Sequence, residues 1–398
     1  MGGAGQYALR LSNALRSLGV ESNVLLPGGP VPDGAIGLRR SDGGARRFAA
    51  RLFRSVCRRI SLTPYHSVRG LELYQAPQAI RPGDIVHLQG LTDWVGLAGL
   101  SRLVPQTARV FQTVHGPWEV SGGCVILAGT ECQQFTDRCQ RCPALRHPWK
   151  RLARLELAAK RAFVRSLAIR PIANSAWTAD LIRNSCVFRG SGPPPIIPPV
   201  VHEAYLRSGF TDLRGQIGIP KERWVISIGA RCVTDQFKGL PEFLQQVAAE
   251  HELSRRVSVL LFGEGRIKHP DNLDVIELGG ISDPSKLADV LFTSDVFVSP
   301  SRLESFGMAL VEAQAVGRPV VGFETGGIRD AVCPALSGNL VPLGRWDRLL
   351  KAVVASLVNG NGRGNSPSLR EWARASFAAS AVAARQMQVY ELACTASR

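Results

Sequence analysis

The chain has 398 residues, 45% of them hydrophobic, and a formal charge of +16 from 48 Lys and Arg against 32 Asp and Glu. That length is large for one hydrophobic core and predicts two domains. The apolar runs are too short for a membrane span and no secretory leader opens the chain, so we expect a cytoplasmic protein with reduced or metal-bound cysteines. The excess positive charge indicates an anionic partner or surface.

The chain begins with GGAGQYALRLSNALRSLG, a glycine-rich segment that runs directly into a helical pattern. Tyr7 and Leu11 fall on one face of the predicted helix, which Gly19 ends. Free backbone N–H groups behind Gly3 and Gly5 would make the helix N-terminus an anion site. Glycine turns also begin many helices that bind nothing, so the segment alone leaves both interpretations open.

Two basic segments follow, LRRSDGGARRFAARLFRSVCRRI and RHPWKRLARLELAAKRAFVR. Bulky apolar residues such as Phe48 and Leu52 interrupt the charges, a pattern typical of a helix that lies on an anionic bilayer. A solvated basic face is the alternative. Nucleic acid is not an expected partner, since the chain has no zinc-finger spacing, RNP-like motif or convincing helix-turn-helix pattern. The arginines of the first segment are Arg39, Arg40, Arg46, Arg47, Arg51, Arg54, Arg58 and Arg59.

Short β-branched runs alternate with longer helical patterns, which predicts parallel sheets covered by helices. The predicted strands are SNVLL, DIVHLQ, RVFQTVHG, RPIANS, WVISIGA, VSVLLFG, LDVIELGG, VFVSPS and PVVGFETGG. A segment rich in Pro and Gly, RGSGPPPIIPPVVHEAYL, separates the two halves. We therefore predict an α/β fold with two doubly wound domains, residues 1–205 and 206–380, and a C-terminal helix over 381–398 that packs back toward the first domain.

The most informative segment is VFVSPSRLESFGMALVEAQAVGRPVVGFETGG. A strand ends at Ser299, Glu304 follows in a loop, and a helix is predicted to begin near Phe306 and Gly307, with Glu312 inside it. The free N–H groups of this helix and both carboxylates would then face a cleft at the carboxyl ends of the strands. Two glutamates alone are structural in most proteins, so the surrounding pattern carries the functional interpretation.

That pattern, ESFGMALVEA followed by GRPVV and TGG, resembles the donor-site signature of retaining glycosyltransferases of family 4, which have the GT-B fold. The resemblance extends over most of the chain and includes GGAG, VHG, IGARCVTDQFKG and LFGEG. It implies transfer of a hexose from a nucleoside diphosphate sugar to a hydroxyl of a glycan or lipid-linked acceptor, in cell-surface polysaccharide synthesis at the inner face of the membrane. It implies no catalytic metal, since an Asp-x-Asp motif is missing, and no enzymic general base.

The resemblance also assigns roles to particular residues. Arg231 and Lys238 stand where the family grips the diphosphate, and fixed cations suit a leaving group on which negative charge develops. Glu304 would hold hydroxyls of the transferred sugar, and Glu312 would accept hydrogen bonds from the ribose. Two loop cations without this context would most simply be solvated.

By the same resemblance, the backbone at Phe306 and Gly307 would seat the sugar and phosphate. Gly3 and Gly5 would let the backbone approach the donor phosphates or the acceptor. His115 ends the strand RVFQTVHG before a glycine turn, at the position of the family's histidine that approaches the transferred sugar. A lone histidine is more often packed or solvated, and its place at a strand end favours the functional interpretation.

In the family the N-terminal glycine turn follows a buried first strand. This chain begins one residue before that turn, so we expect that the first strand is missing, through a late start site or because the chain is a fragment. Two alternatives to the transferase remain open: a GT-B epimerase, and an inactive GT-B scaffold that binds anionic lipid or nucleic acid.

Residues 116–145 form a predicted insertion with four thiols, GCVILAGTECQQFTDRCQRCP. Four thiolates in a short loop fit a tetrahedral structural zinc site, with two disulfides or free thiols as the alternatives. The insertion resembles one found in a subset of bacterial polysaccharide glycosyltransferases. The predicted ligands are Cys124, Cys132, Cys139 and Cys142.

Overall fold

The computed structural model describes residues 3–26, 31–39, 41, 43–62, 73–74, 80–91, 96–127, 132–359 and 366–395. The chain divides into two compact units: Met1–Pro198 together with Ala383–Arg398, and Pro199–Val382. The strand pairs are parallel in both units, and parallel strands require long crossovers, which helices supply. The predicted α/β class with parallel sheets is therefore confirmed.

The first unit alternates helices and short strands. Its elements are α1 (Gly3–Ser17), β1 (Val24–Leu26), β2 (Ala35–Gly37), α2 (Gly44–Ile60), β3 (Ile85–Gln89), α3 (Leu97–Leu103), β4 (Arg109–Val114), α4 (Pro117–Val120), α5 (Leu152–Ser166), β5 (Arg170–Ala173) and α6 (Ala176–Asn184). Strand β1 pairs with β2, and β3, β4 and β5 form a separate sheet in that order. The sequence did not predict β2, because its three residues are too few for a recognisable alternation.

Helix α1 begins at Gly3, so Gly3 and Gly5 lie in its first turn. The prediction of a glycine turn ahead of the helix is wrong at these two positions, because glycine adopts the helical conformation as well as turn conformations. The first N–H groups of a helix have no intrahelical acceptor, so this end keeps its capacity to bind an anion. Tyr7 and Leu11 are buried, as the helical spacing predicted.

A cavity of about 940 Å³ lies between the two sheets of the first unit. Residues of α1, Val24–Leu26 of β1 and Ile85–Gln89 of β3 line it. In the part of the chain that the structure describes, β1 and β3 each pair with one strand only. The absence of a central strand stays a prediction, since the described residues do not identify what fills this space.

Helix α2 carries most of the first basic segment. Phe48 and Leu52 are 69% and 55% exposed, so apolar side chains stand in solvent among arginines. Arg40 and the side chains of Arg46, Arg54 and Arg58 lie outside the described residues. Of the helices that the structure describes, none combines the length and hydropathy needed to cross a bilayer.

The second unit contains a six-stranded sheet in the order β11-β10-β9-β6-β7-β8. Its elements are β6 (Trp224–Cys232), α7 (Leu240–Ala249), α8 (His251–Arg256), β7 (Val257–Glu264), β8 (Asp274–Gly279), α9 (Pro284–Thr293), β9 (Val296–Ser299), α10 (Met308–Ala315), β10 (Val320–Glu324), β11 (Leu340–Pro342), α11 (Trp346–Asn359) and α12 (Pro367–Phe377). The chain runs from β6 to β7 and β8 on one side, then crosses to β9 on the other side. Open parallel sheets bind ligands at the carboxyl ends of strands that flank such a reversal.

Both faces of this sheet are covered. Val225 of β6 packs with Phe297 in one core, whereas Ile226 and Ile228 pack with Phe243 in the core on the opposite face. Strands buried on both faces have continuous apolar sequences rather than alternating ones. The run WVISIGA predicted this arrangement.

The last helical stretch of the sequence forms two helices. Helix α12 ends at Phe377, Ala378 is extended with φ −61° and ψ 151°, and α13 (Ala379–Thr395) follows. From Ala383 onward the chain belongs to the first unit. The break could not be predicted from the sequence, because alanine has a high helix propensity.

Candidate functional site

Three charged side chains of the second unit follow the strands that flank the reversal. Arg231 lies exposed near the end of β6, and among the described residues it has no hydrogen-bond or ion-pair partner. Lys238 ends the single turn Gln236–Lys238, and Glu304 lies in the loop after β9. Because β6 and β9 are neighbours in the sheet, these groups share one edge of the unit.

Lys238 and Glu304 form an ion pair at this edge. The Lys238 ammonium donates to Glu304 Oε1 at 2.6 Å, and the Ser301 hydroxyl donates to the same oxygen at 3.0 Å. The side chains of the pair are only 25% and 21% exposed. Burial alone would lower the pKa of Lys238, but the Glu304 carboxylate outweighs burial and raises that pKa above its ordinary value. Lys238 is therefore charged at neutral pH.

Backbone hydrogen bonds join the loop after β6 to the loop after β9. Asp235 Oδ1 accepts from the N–H of Phe237 at 3.0 Å, which closes the turn that carries Lys238. The Phe237 carbonyl accepts from the N–H of Arg302 at 2.7 Å. The main chain therefore fixes the separation of Lys238 and Glu304, in addition to their own contact.

The turn after β10 supports the Glu304 loop from the other side. The Glu304 carbonyl accepts from the N–H of Gly327 at 2.9 Å. Gly326 has a φ of +55°, and a Cβ at that position would lie 1.9 Å from the Glu304 carbonyl oxygen. Only glycine fits so close an approach in the left-handed region, which explains the TGG of the sequence.

Helix α10 begins at Met308 rather than near Phe306, because Gly307 caps it with a φ of +104°. Phe306 is buried in the core of the unit, so its backbone rather than its side chain is available at this edge. At the start of α10 the Leu310 N–H donates to the Gly307 carbonyl at 3.0 Å, and the N–H groups before it have no intrahelical acceptor. Glu312 lies further along the helix and is half-buried.

In the first unit, His115 follows β4 and joins a row of hydrogen-bonded side chains. His115 Nε2 lies 2.6 Å from Gln89 Oε1. Gln89 Nε2 lies 3.0 Å from His87 Nε2 and 3.3 Å from Thr113 Oγ1. His87 Nδ1 lies 2.7 Å from the Tyr390 hydroxyl oxygen. The row therefore extends from the end of β4 across β3 to α13.

Burial keeps both histidines of this row neutral. It lowers the pKa of His115 to about 4 and the pKa of His87 to about 3, with His115 adding to the effect on His87. The Tyr7 ring on α1 packs edge-on against His115, with ring centroids 5.2 Å apart. A Cβ on Gly90 would lie 2.5 Å from Ala4 Cβ, so the first turn of α1 contacts the end of β3. The predicted residues Gly3, Gly5 and His115 thus lie at one edge of this unit.

His87, Gln89 and Tyr390 were not predicted as site residues from the sequence. A signal existed for the first two, because alternate residues of a strand share a face and Gln89 pairs in register with Thr113. Tyr390 lies 303 positions from His87 in the chain. No local pattern links residues so far apart.

Two buried ionisable side chains hydrogen-bond to the turn after His115: Glu119 accepts from the backbone N–H groups of His115 and Gly116, and Lys160 donates to the carbonyl groups of Trp118 and Ser121. Glu119 and Lys160 are both buried. Burial raises the pKa of Glu119 to about 7, against backbone N–H donors that include His115 and Gly116 and against the charge of Lys160. Burial lowers the pKa of Lys160 to about 8, and the Lys160 ammonium lies 3.5 Å from the Trp118 ring centroid. The sequence did not reveal this pair, since its members lie on different helices.

The four predicted zinc ligands lie within the described residues as free thiols. Cys124, Cys139 and Cys142 are buried and Cys132 is partly exposed. A hydrogen bond from Cys124 lowers the pKa of Cys142, and burial raises the pKa of Cys139 to about 12. The described part of the chain contains no group of three or more His, Cys, Asp or Glu arranged to hold a metal ion. The thiols are therefore neighbours without a formed cage, and zinc stays a prediction.

Parallel sheets in two units, with polar groups at the strand ends, are the architecture of the GT-B fold, and solved proteins with this fold are similar to the chain. Sucrose-phosphate synthase from Thermosynechococcus elongatus is similar, with a TM-score of 0.66, 20% identity, and coverage of 99% of this chain and 94% of that chain. Alr3699/HepE from Anabaena, solved in complex with UDP and glucose, has a TM-score of 0.60, 15% identity and coverage of 99% and 96%. At these identities the likeness shows the fold.

The family follows from the sequence. A family model described as Glycosyltransferase Family 4 matches residues 1–203, and one described as Glycosyl transferases group 1 matches residues 222–359. The chain belongs to glycosyltransferase family 4, which confirms the resemblance found in the motifs.

Two curated relatives illustrate the family. A GDP-mannose-dependent alpha-mannosyltransferase from Mycobacterium tuberculosis is 26% identical over 364 residues, 90% of this chain and 84% of that protein. D-inositol 3-phosphate glycosyltransferase 1 from Catenulispora acidiphila is 32% identical over 195 residues, 44% of this chain and 45% of that protein. The chain spans less than half the length of the inositol 3-phosphate relatives that it matches.

We expect Gly326→Ala to destabilise the second unit strongly, by about 3 kcal/mol or more, because the left-handed conformation costs roughly 1–2 kcal/mol and the Glu304 carbonyl must also move. Gly344→Ala is the matched control: its φ is +81°, but no atom lies within 4 Å of the added Cβ. The control should therefore lose only about 1–2 kcal/mol. Urea unfolding of both variants measures the difference, and equal losses would show that the contact with Glu304 does not constrain the turn.

We expect the free energy of unfolding to decrease as the pH is lowered, because the folded chain keeps His87 and His115 neutral. Above about pH 6.5 both are neutral in the folded and unfolded chain. Below that, the unfolded chain binds protons that the folded chain excludes, so the free energy of unfolding decreases by at most about 1.4 kcal/mol per pH unit for each histidine. The double variant His87→Gln/His115→Gln should show a shallower slope between about pH 7 and 5.

The exposed His251 provides the control for this titration. His251→Gln should keep the slope of the wild-type chain, because the His251 side chain is exposed and lies outside the buried row. If the double variant also keeps that slope in urea unfolding, the two histidines are not held neutral by the fold.

Proposed function

We propose that this protein is a retaining glycosyltransferase that moves a hexose from a nucleoside diphosphate sugar to a hydroxyl of a glycan or lipid-linked acceptor in cell-surface polysaccharide synthesis. The observation that carries the proposal is the placement of Arg231 and the Lys238–Glu304 pair at the reversal between β6 and β9. Paired charges that are largely buried are costly to desolvate, so packing alone is a weak reason to keep them. Binding of a sugar diphosphate would explain why this charged pair is kept.

The chemistry of the donor fits these side chains. When the glycosidic bond breaks, negative charge grows on the leaving diphosphate, and a preformed cation stabilises that charge more in the transition state than in the bound donor. Arg231 offers a planar fork for two phosphate oxygens, and Lys238 offers a point charge. Glu304 balances Lys238 and accepts hydrogen bonds from the sugar. The departing phosphate takes the proton of the acceptor hydroxyl, so no side chain acts as general base.

The remaining donor contacts belong to α10. The backbone N–H groups of Phe306 and Gly307 precede the helix and would donate to phosphate or sugar oxygens. Glu312, within the helix, would accept hydrogen bonds from the ribose hydroxyls. The named activity of the mycobacterial relative with GDP-mannose, and the UDP and glucose bound by the Anabaena protein, support a nucleoside diphosphate hexose as the donor class.

The first unit would handle the transferred sugar and the acceptor. His115 would contact the sugar, and the first turn of α1 at Gly3 and Gly5 would offer N–H groups to phosphate or acceptor. Helix α2 exposes Phe48 and Leu52 among arginines, a combination that suits peripheral contact with an anionic membrane surface. We therefore propose a place at the inner face of the cell membrane.

We also propose that a structural zinc ion joins Cys124, Cys132, Cys139 and Cys142. Cys124 already donates to Cys142, and Cys124 and Cys132 lie close enough to Cys139 to raise its pKa. Purified without chelator, the protein should contain about one zinc per chain, as four-thiolate sites do. Cys139→Ser should lose the metal and stability, whereas Cys394→Ser, outside the cluster, should keep both. Oxidised thiols without metal would establish the disulfide alternative.

Substitutions at the donor site should separate binding from chemistry. Arg231→Ala and Lys238→Ala should each lower kcat about a hundredfold or more, the scale for loss of one preorganised donor. Glu312→Ala removes ribose contacts that persist through the reaction, so it should mainly raise the KM for the donor. Glu304→Gln keeps the shape but loses the charge and should lower kcat. Sugar transfer to a defined acceptor is the measurement.

Exposed cations elsewhere in the second unit give matched controls. Arg255→Ala and Lys351→Ala should leave transfer unchanged. A thermal-shift series with UDP, GDP and ADP identifies the base, because ligand at a hundredfold excess over its Kd adds roughly 2.7 kcal/mol. If none of the nucleotides raises the Tm and Arg231→Ala keeps full activity, the donor site is refuted and the scaffold hypothesis takes its place.

A further inference from the structure

Gln89 stands between two histidines and meets each with a different end of its amide group. It ends β3 in register with Thr113 of β4. Its Oε1 lies 2.6 Å from His115 Nε2, and its Nε2 lies 3.0 Å from His87 Nε2. Gln89 therefore contacts His115 although the two residues lie far apart in the chain.

These contacts determine where the protons lie. A carboxamide oxygen only accepts hydrogen bonds, and a carboxamide nitrogen only donates them. His115 Nε2 must therefore carry a hydrogen. His87 Nε2 accepts from the Gln89 amide and also lies 2.8 Å from the Thr113 hydroxyl oxygen, which can donate to it as well. His87 then keeps its own proton on Nδ1, which donates to the Tyr390 hydroxyl oxygen at 2.7 Å.

A neutral imidazole has one N–H and one lone pair, so the partner of one nitrogen decides what the other can bind. Burial lowers the pKa of His115 to about 4, which keeps the ring neutral at physiological pH. With the proton on Nε2, the lone pair lies on Nδ1. An unprotonated Nδ1 accepts a hydrogen bond from an O–H group and repels a phosphate oxygen.

We propose that Gln89 is the positioning residue that fixes His115 as the neutral Nε2–H tautomer, so that His115 Nδ1 accepts a hydrogen bond from a hydroxyl of the transferred sugar. The identity of that hydroxyl rests on the proposed function, whereas the tautomer does not. Gln89 thus acts through His115, and His115 binds a hydroxyl group rather than a charged group.

Nitrogen-15 NMR of the imidazole groups in the full chain tests the tautomer directly. His115→Gln assigns the His115 signals by their loss. The wild-type chain should show a protonated Nε2 and an unprotonated Nδ1 at His115. Gln89→Met removes the acceptor and should produce a mixture of tautomers, whereas Gln89→Glu keeps an acceptor oxygen and should retain the proton on Nε2. Gln106→Met, at an exposed position, is the matched control and should leave the His115 signals unchanged.

Kinetics test the consequence for the substrate. Gln89→Met should lower kcat for sugar transfer about tenfold, the loss expected for one hydrogen bond of ordinary strength, with little change in the KM for the acceptor. Gln89→Glu should recover most of this loss. A donor that lacks the hydroxyl read by His115 should be used equally by wild type and Gln89→Met, because neither then makes the contact.

The two proposals fail in different ways. A proton on Nδ1 of wild-type His115, or an unchanged tautomer in Gln89→Met, overturns the role of Gln89 whatever the activity. If the spectra agree with the assignment but no nucleoside diphosphate sugar is transferred, the function is refuted and the tautomer stands. Equal kcat in Gln89→Met and wild type, with the tautomer changed, refutes the contact with a sugar hydroxyl.

Discussion

The candidate site of the second unit depends on the ion pair between Lys238 and Glu304. Its ammonium and carboxylate come from loops that follow neighbouring strands β6 and β9. Neither charge is well solvated, so each requires the other. The Asp235 turn, the Phe237–Arg302 backbone bond and the Gly326 turn then serve to keep the two loops at the separation that the pair needs.

The pair also distinguishes the two cations of the site, Lys238 and Arg231. Lys238 is neutralised by Glu304, whereas Arg231 is exposed and has no partner among the residues that the structure describes. A ligand with two negative phosphates and hydroxyl groups would give Arg231 its partner and add acceptors and donors around the pair. Fixed dipoles and charges of this kind act without reorganisation when charge moves in a reaction.

The first unit obeys a related constraint with neutral groups. Polar side chains in a partly buried row must satisfy one another, and each hydrogen bond in the row from Tyr390 through His87 and Gln89 limits the next. The outcome is one proton arrangement for His115. The buried Glu119 carboxylate, which accepts from the backbone N–H groups at His115 and Gly116, holds the turn that carries the ring.

The sequence by itself determined the α/β class, the family and the residues at the strand ends, because each depends on a local pattern. These patterns are the apolar runs of β6 and β9, the segment ESFGMALVEA around Glu304, and the glycine turn after His115. It missed β2 and β11, which are too short for a pattern, and the break at Ala378. Only the tertiary structure decided that Lys238 pairs with Glu304, that the charge of Lys160 acts on the buried Glu119 and that the Tyr390 hydroxyl contacts His87. Such contacts join residues far apart in the chain, and the burial that sets their charge states exists only after the strands and helices have packed.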